Sequence, residues 1–304
     1  MDTFTLGSVD ITRVTEWQGP FAPASVLFPS IPADLWREHR SWLAPHFWDA
    51  ETDNYQAHMQ TWVLRSQGRT VIVDTGLGND KERSDAVLAG RKGDFLERLA
   101  TLGVTPDDVD IVVNTHLHAD HVGWNTRLVD GAWVPTFPNA QYLMSRADFD
   151  YWNPDSNNPR RSRFGDPADS RATFEDSVLP VHRSSQAVLW EGTGYRIDSD
   201  LSLELAPGHT PGSAVLKLDS GTDRALFVGD LVHTPLQFLE PHHDTCLSED
   251  QHEATRARMR MLEQAAATNA LIIPAHLGGA GAAEVVRNGS KYAIKQWAPL
   301  PPPA

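Results

Sequence analysis

The sequence predicts an α/β fold in which two mixed β-sheets pack together and helices cover the outside. Two observations carry that expectation. Short apolar runs bounded by turn residues recur in two blocks, and each block is followed by a helix signal. No internal repeat or flexible linker separates the blocks, which predicts one domain spanning residues 1–304.

Taken in order, residues 4–14 alternate as a hairpin around Gly7-Ser8. Residues 17–60 are rich in Pro and Trp with little periodicity, and read as a long arm with a short helix near 33–40. Strands are expected at 61–65 and 70–74 around a Gln67-Gly68 turn, then a helix at 95–102 closed by Gly103. The continuous apolar run at 110–113 reads as a buried strand, and 142–144 as another. Ser145 with Asp148 forms a capping-box pattern opening a helix to Trp152. Residues 153–172 read as an exposed loop. Strands follow at 195–197, 201–205, 214–218 and 225–228, then a helix capped by Ser248 and Gln251 and running to 268, and a last strand at 271–273. The Pro-rich tail 299–304 is expected to be solvated.

Composition narrows the function classes. With 40% apolar and 22% charged residues the chain can bury a core. A formal charge of -14 argues against a nucleic-acid partner, which needs clustered Lys and Arg. No apolar run reaches ~18 residues, so no membrane span is expected. No secretory pattern opens the chain, and the one cysteine, Cys246, suits a reducing, cytoplasmic compartment. Against that single thiol stand 13 histidines, so metal chemistry here must use imidazole and carboxylate.

The strongest chemical signal is Thr115-His116-Leu117-His118-Ala119-Asp120-His121-Val122-Gly123, directly after a predicted strand. His116 and His118 are two apart, so in extended backbone they point the same way and can clamp one ion. Asp120 and His121 lie past the turn and can reach a second ion. These donors are the types zinc and its neighbours prefer.

His116-x-His118-x-Asp120-His121 resembles the HxHxDH signature of the metallo-β-lactamase superfamily. Gly208-His209-Thr210-Pro211-Gly212, Gly229-Asp230 and Pro274-Ala275-His276 resemble that family's later ligand segments, in family order and each at a predicted strand end. Val73-Asp74-Thr75-Gly76 fits its early strand end, with Asp74 supporting a ligand instead of binding metal. The likeness covers roughly residues 60–280. It implies the αββα sandwich and two divalent ions, with zinc the expected metal. His116, His118 and His209 would hold the first, Asp120, His121 and His276 the second, and Asp230 would bridge. Cys246 falls at no matched position, unlike the cysteine of dizinc antibiotic lactamases.

The resemblance also narrows the reaction. Diiron flavoproteins of the superfamily carry a glutamate where His118 stands, and its nucleases want a basic surface. What remains is hydrolysis of a small molecule, with a hydroxide shared by two ions attacking a lactone or an aryl or alkyl ester. Phosphotriester hydrolysis, thioester hydrolysis and a single-iron dioxygenase are the alternatives. Asp120 is the candidate proton carrier. His233 stands where N-acyl homoserine lactonases often carry tyrosine, and either donates to the developing oxyanion or sits buried behind the site. The run to His233 followed by Gln237-Phe238 looks more like the methyl parathion hydrolase group. Phe21, Phe28, Trp36, Trp42, Phe47 and Trp48 of the arm wall a substrate pocket, pack in the core or make a homodimer contact.

Overall fold

The computed structural model describes residues 2–156, 158 and 166–300. In chain order the first block supplies β1 (Thr3–Leu6), β2 (Val9–Pro23), β3 (Trp48–Asp49), β4 (Asn54–Ser66), β5 (Arg69–Val73), β6 (Ile111–Val113), β7 (Thr126–Val129), β8 (Ala132–Pro135), β9 (Gln141–Ser145) and β10 (Ala187–Trp190). The second supplies β11 (Gly194–Arg196), β12 (Leu201–Leu205), β13 (Ala214–Ser220), β14 (Asp223–Gly229), β15 (Leu271–Pro274), β16 (Ala283–Asn288) and β17 (Lys291–Trp297). One sheet runs β1-β2-β4-β5-β6-β9-β10 with β3 on β4, the other runs β11 through β17 in sequence, and β7-β8 is a separate hairpin.

Period-two alternation sorts neighbouring side chains into layers. Val71 and Val73 of β5 face the layer between the sheets, as do Ala225 and Phe227 of β14. Ile72 faces the other way, onto the helix Phe95–Thr101. Leu226 and Val228 likewise face outward, onto Ala257, Met261 and Leu262 of the helix Gln251–Thr268. A continuous apolar run therefore means a strand buried on both faces. The result is helix, sheet, sheet, helix. No helix among the described residues is long and apolar enough to cross a membrane.

Several expectations need correction. Residues 17–23 are the outer half of β2 and 54–60 the first half of β4, so the irregular arm is only 24–53. Bulges between Thr15 and Trp17 and between Pro20 and Ala22 break the side-chain alternation there and hide the strand. Within the arm are helices Ala24–Leu27, Ala33–Glu38 and Arg40–Leu43. The long helix is capped by Asp250, whose carboxylate accepts from Glu253 N at 2.9 Å, and not by Ser248. Part of the 153–172 loop is ordered as the helix Pro167–Thr173, while 157 and 159–165, like 301–304 of the Pro-rich tail, lie outside the described residues.

Candidate metal centre

All the candidate ligands sit where strands end. His116 and His118 follow β6, Asp230 follows β14, and His276 follows β15, while His209 lies in the turn between β12 and β13. β14 and β15 are parallel, so their carboxyl ends carry Asp230 and His276 to the same edge. Asp120 and His121 open the one-turn helix Ala119–Val122. Gly208 shapes the His209 turn with φ of 134°, and a Cβ there would stand 2.0 Å from Ala254 N.

The structure brings these side chains into two adjoining groups. Donor atoms of His116, His118, His209 and Asp230 lie within 4.8 Å of one another, and so do those of Asp120, His121 and His276. His118 Nδ1 is 3.0 Å from both His116 Nε2 and His209 Nε2. His121 Nε2 is 3.1 Å from His276 Nε2. Asp230 lies between the groups. Its Oδ2 is 3.3 Å from His209 Nε2 and 3.8 Å from His116 Nε2. Its Oδ1 is 3.1 Å from His276 Nε2 and 3.2 Å from His121 Nε2. Asp120 Oδ2 completes the second group at 3.4 Å from His276 Nε2.

These spacings fit divalent ions. Two nitrogens on one tetrahedral ion at about 2.0–2.1 Å stand roughly 3.3 Å apart. One nitrogen facing two others at 3.0 Å is poorly served by hydrogen bonds alone, whereas an ion at their centre makes all three ligands. Asp230 Oδ1 is buried and has no hydrogen-bond partner, as an atom reserved for a cation would be. Burial, with His121 and His118 close by, pushes the His116 ring well below the usual imidazole range, which keeps its lone pair free. Burial would raise the Asp230 carboxyl, but His276, His121, His233 and His209 together hold it well below the usual carboxylate range.

Outer partners orient the rings, as metal-ligating histidines require. His121 Nδ1 lies 2.8 Å from Asp74 Oδ2, and Thr115 N and Oγ1 both donate to the same carboxylate at 2.8 Å. His276 Nδ1 is 3.0 Å from the backbone oxygen of His58, and His209 Nδ1 is 3.4 Å from Ser248 Oγ. Ser248 thus supports His209, having lost the cap to Asp250.

His233 stands at the centre's edge and lines the cleft. Its Nε2 is committed to Asp230 Oδ2 at 3.1 Å, and its Nδ1 is buried without a partner. Nε2 is thus placed to fix Asp230, while the unpartnered Nδ1 remains the ring's one nitrogen for a further hydrogen bond. His233 N donates to Gln237 Oε1 at 2.7 Å, and Tyr55 OH donates to His233 O at 2.8 Å.

The sequence reading missed Asp148 as anything but a cap. Ser145 makes no side-chain cap, and Asp148 turns inward, fully buried, to accept from Leu117 N, Thr210 Oγ1 and Gly212 N. Burial pushes its carboxyl up to about 6 against those three bonds. A cap and an inward clamp share one local spacing, so only tertiary contacts distinguish them.

A cleft of about 420 Å³ opens over His118, Asp120, Asp230 and His276. Phe21, Leu27 and Phe28 from the N-terminal region wall one side, with Leu88 and Leu247. Trp36 and Trp48 do not reach it. They pack on each other with rings tilted at 42° and centroids 5.7 Å apart, with Trp36 the same distance from Phe28 and so behind the wall. Trp42 and Phe47 pack against Trp297. A more polar part of the lining, Ser84 and Asp85 with Asp169, Ser170 and Thr173 of the helix Pro167–Thr173, is held by Ser84 on Asp169 and by paired bonds from Arg83 to Asp176 at 2.7 and 2.9 Å.

Comparison with known proteins places the fold and the ligand-bearing segments in a family. An N-acyl homoserine lactonase from a Bacillus species is 22% identical over 171 residues, covering 52% of this chain and 57% of the relative. The chain thus spans little more than half of that relative's length. The solved structure of AidC, described as a dizinc quorum-quenching lactonase in complex with a product, superposes with TM-score 0.74 at 21% identity, covering 96% of this chain and 95% of AidC. A hydrolase of the beta lactamase superfamily, AbOPH, gives 0.77 at 23% identity over 98% and 96%. Residues 60–276 match the Metallo-beta-lactamase superfamily, which covers every candidate ligand from His116 to His276, and the chain belongs to that superfamily.

Proposed function

We propose that the protein is a two-metal hydrolase that opens a lactone, or an aryl or alkyl ester, of a small apolar molecule. The observation that supports this most is Asp230, whose two oxygens each face a separate set of ring nitrogens on the floor of an apolar-walled cleft. Two divalent ions, zinc being best suited to this donor set, would supply a nucleophile at neutral pH and polarise the scissile carbonyl. The lactonase relative and the likeness to AidC favour the lactone end of the range.

The chain's own residues divide the remaining work. His116, His118 and His209 hold one side of the centre, and Asp120, His121 and His276 the other. Asp230 carries the charge shared between them, and His233 Nε2 fixes its Oδ2. Asp120 and His118 are the two ligands that are not buried, and the Asp120 side chain is 20% exposed. It can pass a proton to the leaving oxygen. Phe21, Leu27 and Phe28 exclude water from one side of the substrate and bury its apolar substituent.

A substrate panel on zinc-reconstituted protein tests the proposal. It should include acyl-homoserine lactones, aliphatic lactones, aryl esters, a thioester, a phosphotriester and a β-lactam. Lactone or aryl-ester turnover, abolished by a strong chelator, is expected, with little or no β-lactam cleavage. Full activity with a single bound ion would defeat the two-metal reading.

The cleft wall gives a second expectation. Phe21→Ala should raise KM for long apolar substrates more than for short ones, since apolar pockets discriminate by about 1–3 kcal/mol per methylene. Trp36→Ala, behind the wall, should instead destabilise the fold by about 3–5 kcal/mol. Denaturation and KM series on both variants check this, and equal KM changes across substrate lengths in Phe21→Ala would remove Phe21 from the pocket.

A further inference from the structure

We infer that each half of the metal site is held by its own carboxylate clamp, the buried Asp148 for the His116, His118 and His209 half and the half-buried Glu16 for the segment that brings Asp120 and His121 to the other half. The inference depends on the two-metal reading and extends it from the ligands to the loops that hold them.

Asp148 ties together two loops from opposite sheets. Its Oδ2 accepts from Leu117 N at 3.1 Å, between His116 and His118, and from Thr210 Oγ1 at 2.9 Å, next to His209. Its Oδ1 accepts from Gly212 N at 2.6 Å. All three imidazoles of one half are therefore indexed to a single carboxylate. The approach is close as well as bonded: a Cβ at Gly212 would stand 2.4 Å from Asp148 N.

Glu16 does the same on the other side, from β2. Its Oε2 accepts from Leu77 N at 2.6 Å and its Oε1 from Trp124 Nε1 at 2.8 Å. The segments so joined embrace the helix bearing Asp120 and His121. Thr75 N donates to His121 O at 2.8 Å, Gly123 N to Gly76 O at 2.8 Å, and Trp124 N to Thr75 O at 2.9 Å. The Glu16 carboxylate lies against Gly76, where a Cβ would come within 2.0 Å of Oε2. Neither Asp148 nor Glu16 lines the cleft, so both are positioning residues. The hydrogen bonds of the two clamps share no partner. Each clamp should therefore loosen its own half more than the other, which it reaches only through Asp230 and through the Asp74 carboxylate shared by His121 and Thr115.

Stepwise metal affinity separates this from a merely structural role. Metal-free protein is titrated with Co²⁺ against a chromophoric chelator, and His209→Ala and His276→Ala identify which step belongs to which half. Asp148→Asn should weaken the His209-dependent step about 10–100-fold, as outer partners of metal ligands typically do, and the other step much less. Glu16→Gln should show the reverse. Thr210→Val and Trp124→Phe each remove one donor while leaving the carboxylate, and should shift the same steps by smaller factors. They keep the test decisive if either carboxylate variant fails to fold. Equal weakening of both steps, or of neither, overturns the clamps. Two intact steps in both histidine variants overturn the ligand assignment on which the clamps rest, whereas a single step in the unsubstituted protein overturns the two-metal reading itself.

Discussion

Asp230→Asn is expected to lower turnover on the order of 10³-fold, the scale set by removing one preorganised charge or donor from an active site. Metal content should fall below two ions per chain in the same variant. The physical reason is that the carboxylate meets both groups of histidines at once, Oδ2 toward His209 and Oδ1 toward His276 and His121. An amide keeps the shape but loses the charge and turns a donor toward one set of nitrogens. Because the side chain is buried, water cannot replace what is lost. Turnover and metal analysis on the purified variant check both halves of the expectation. Near-normal turnover with two ions retained would refute the bridging role.

Much of this was legible in the sequence because the centre is built from local patterns. A strand that is apolar at every position must be buried on both faces, so its end is fixed, and a ligand placed just beyond it is fixed as well. His116 after β6, Asp230 after β14 and His276 after β15 all follow that rule. The resemblance to the superfamily then joined segments that periodicity alone could not join. What stayed hidden depends on contacts between distant residues. Asp148 has the spacing of a helix cap, and nothing local shows that Leu117, Thr210 and Gly212 claim it. Glu16 sits in a strand whose bulges disguise it as loop. β16 and β17 went unread because Lys, Arg, Asn and Glu interrupt their apolar positions, as suits strands at a sheet's solvated edge. The tryptophans of the arm could be assigned to pocket or core only once Phe28 was seen between Trp36 and the cleft.

Stripping the metal should cost stability as well as activity. In metal-free protein Asp230 Oδ1 is a buried carboxylate oxygen without a hydrogen-bond partner, facing ring nitrogens that crowd one another at 3.0–3.1 Å. A ligand that binds only the folded state at ~1,000 times its Kd adds about 4 kcal/mol, so two ions would add about 8 kcal/mol. With an unfolding entropy near ~2.1 cal/mol/K per residue, that corresponds to a midpoint roughly 12 °C higher for a chain of this length. Thermal unfolding before and after chelation, with the free metal concentration fixed, measures the difference. The choice of restoring ion adds discrimination, because five of the seven candidate ligands are imidazoles. Zn²⁺ and Co²⁺ should recover the midpoint, whereas Mg²⁺, which prefers oxygen donors and keeps its water, should not. A midpoint unchanged by chelation, or restored equally by Mg²⁺, would mean that the histidine cluster does not hold its ions through the nitrogens that converge there.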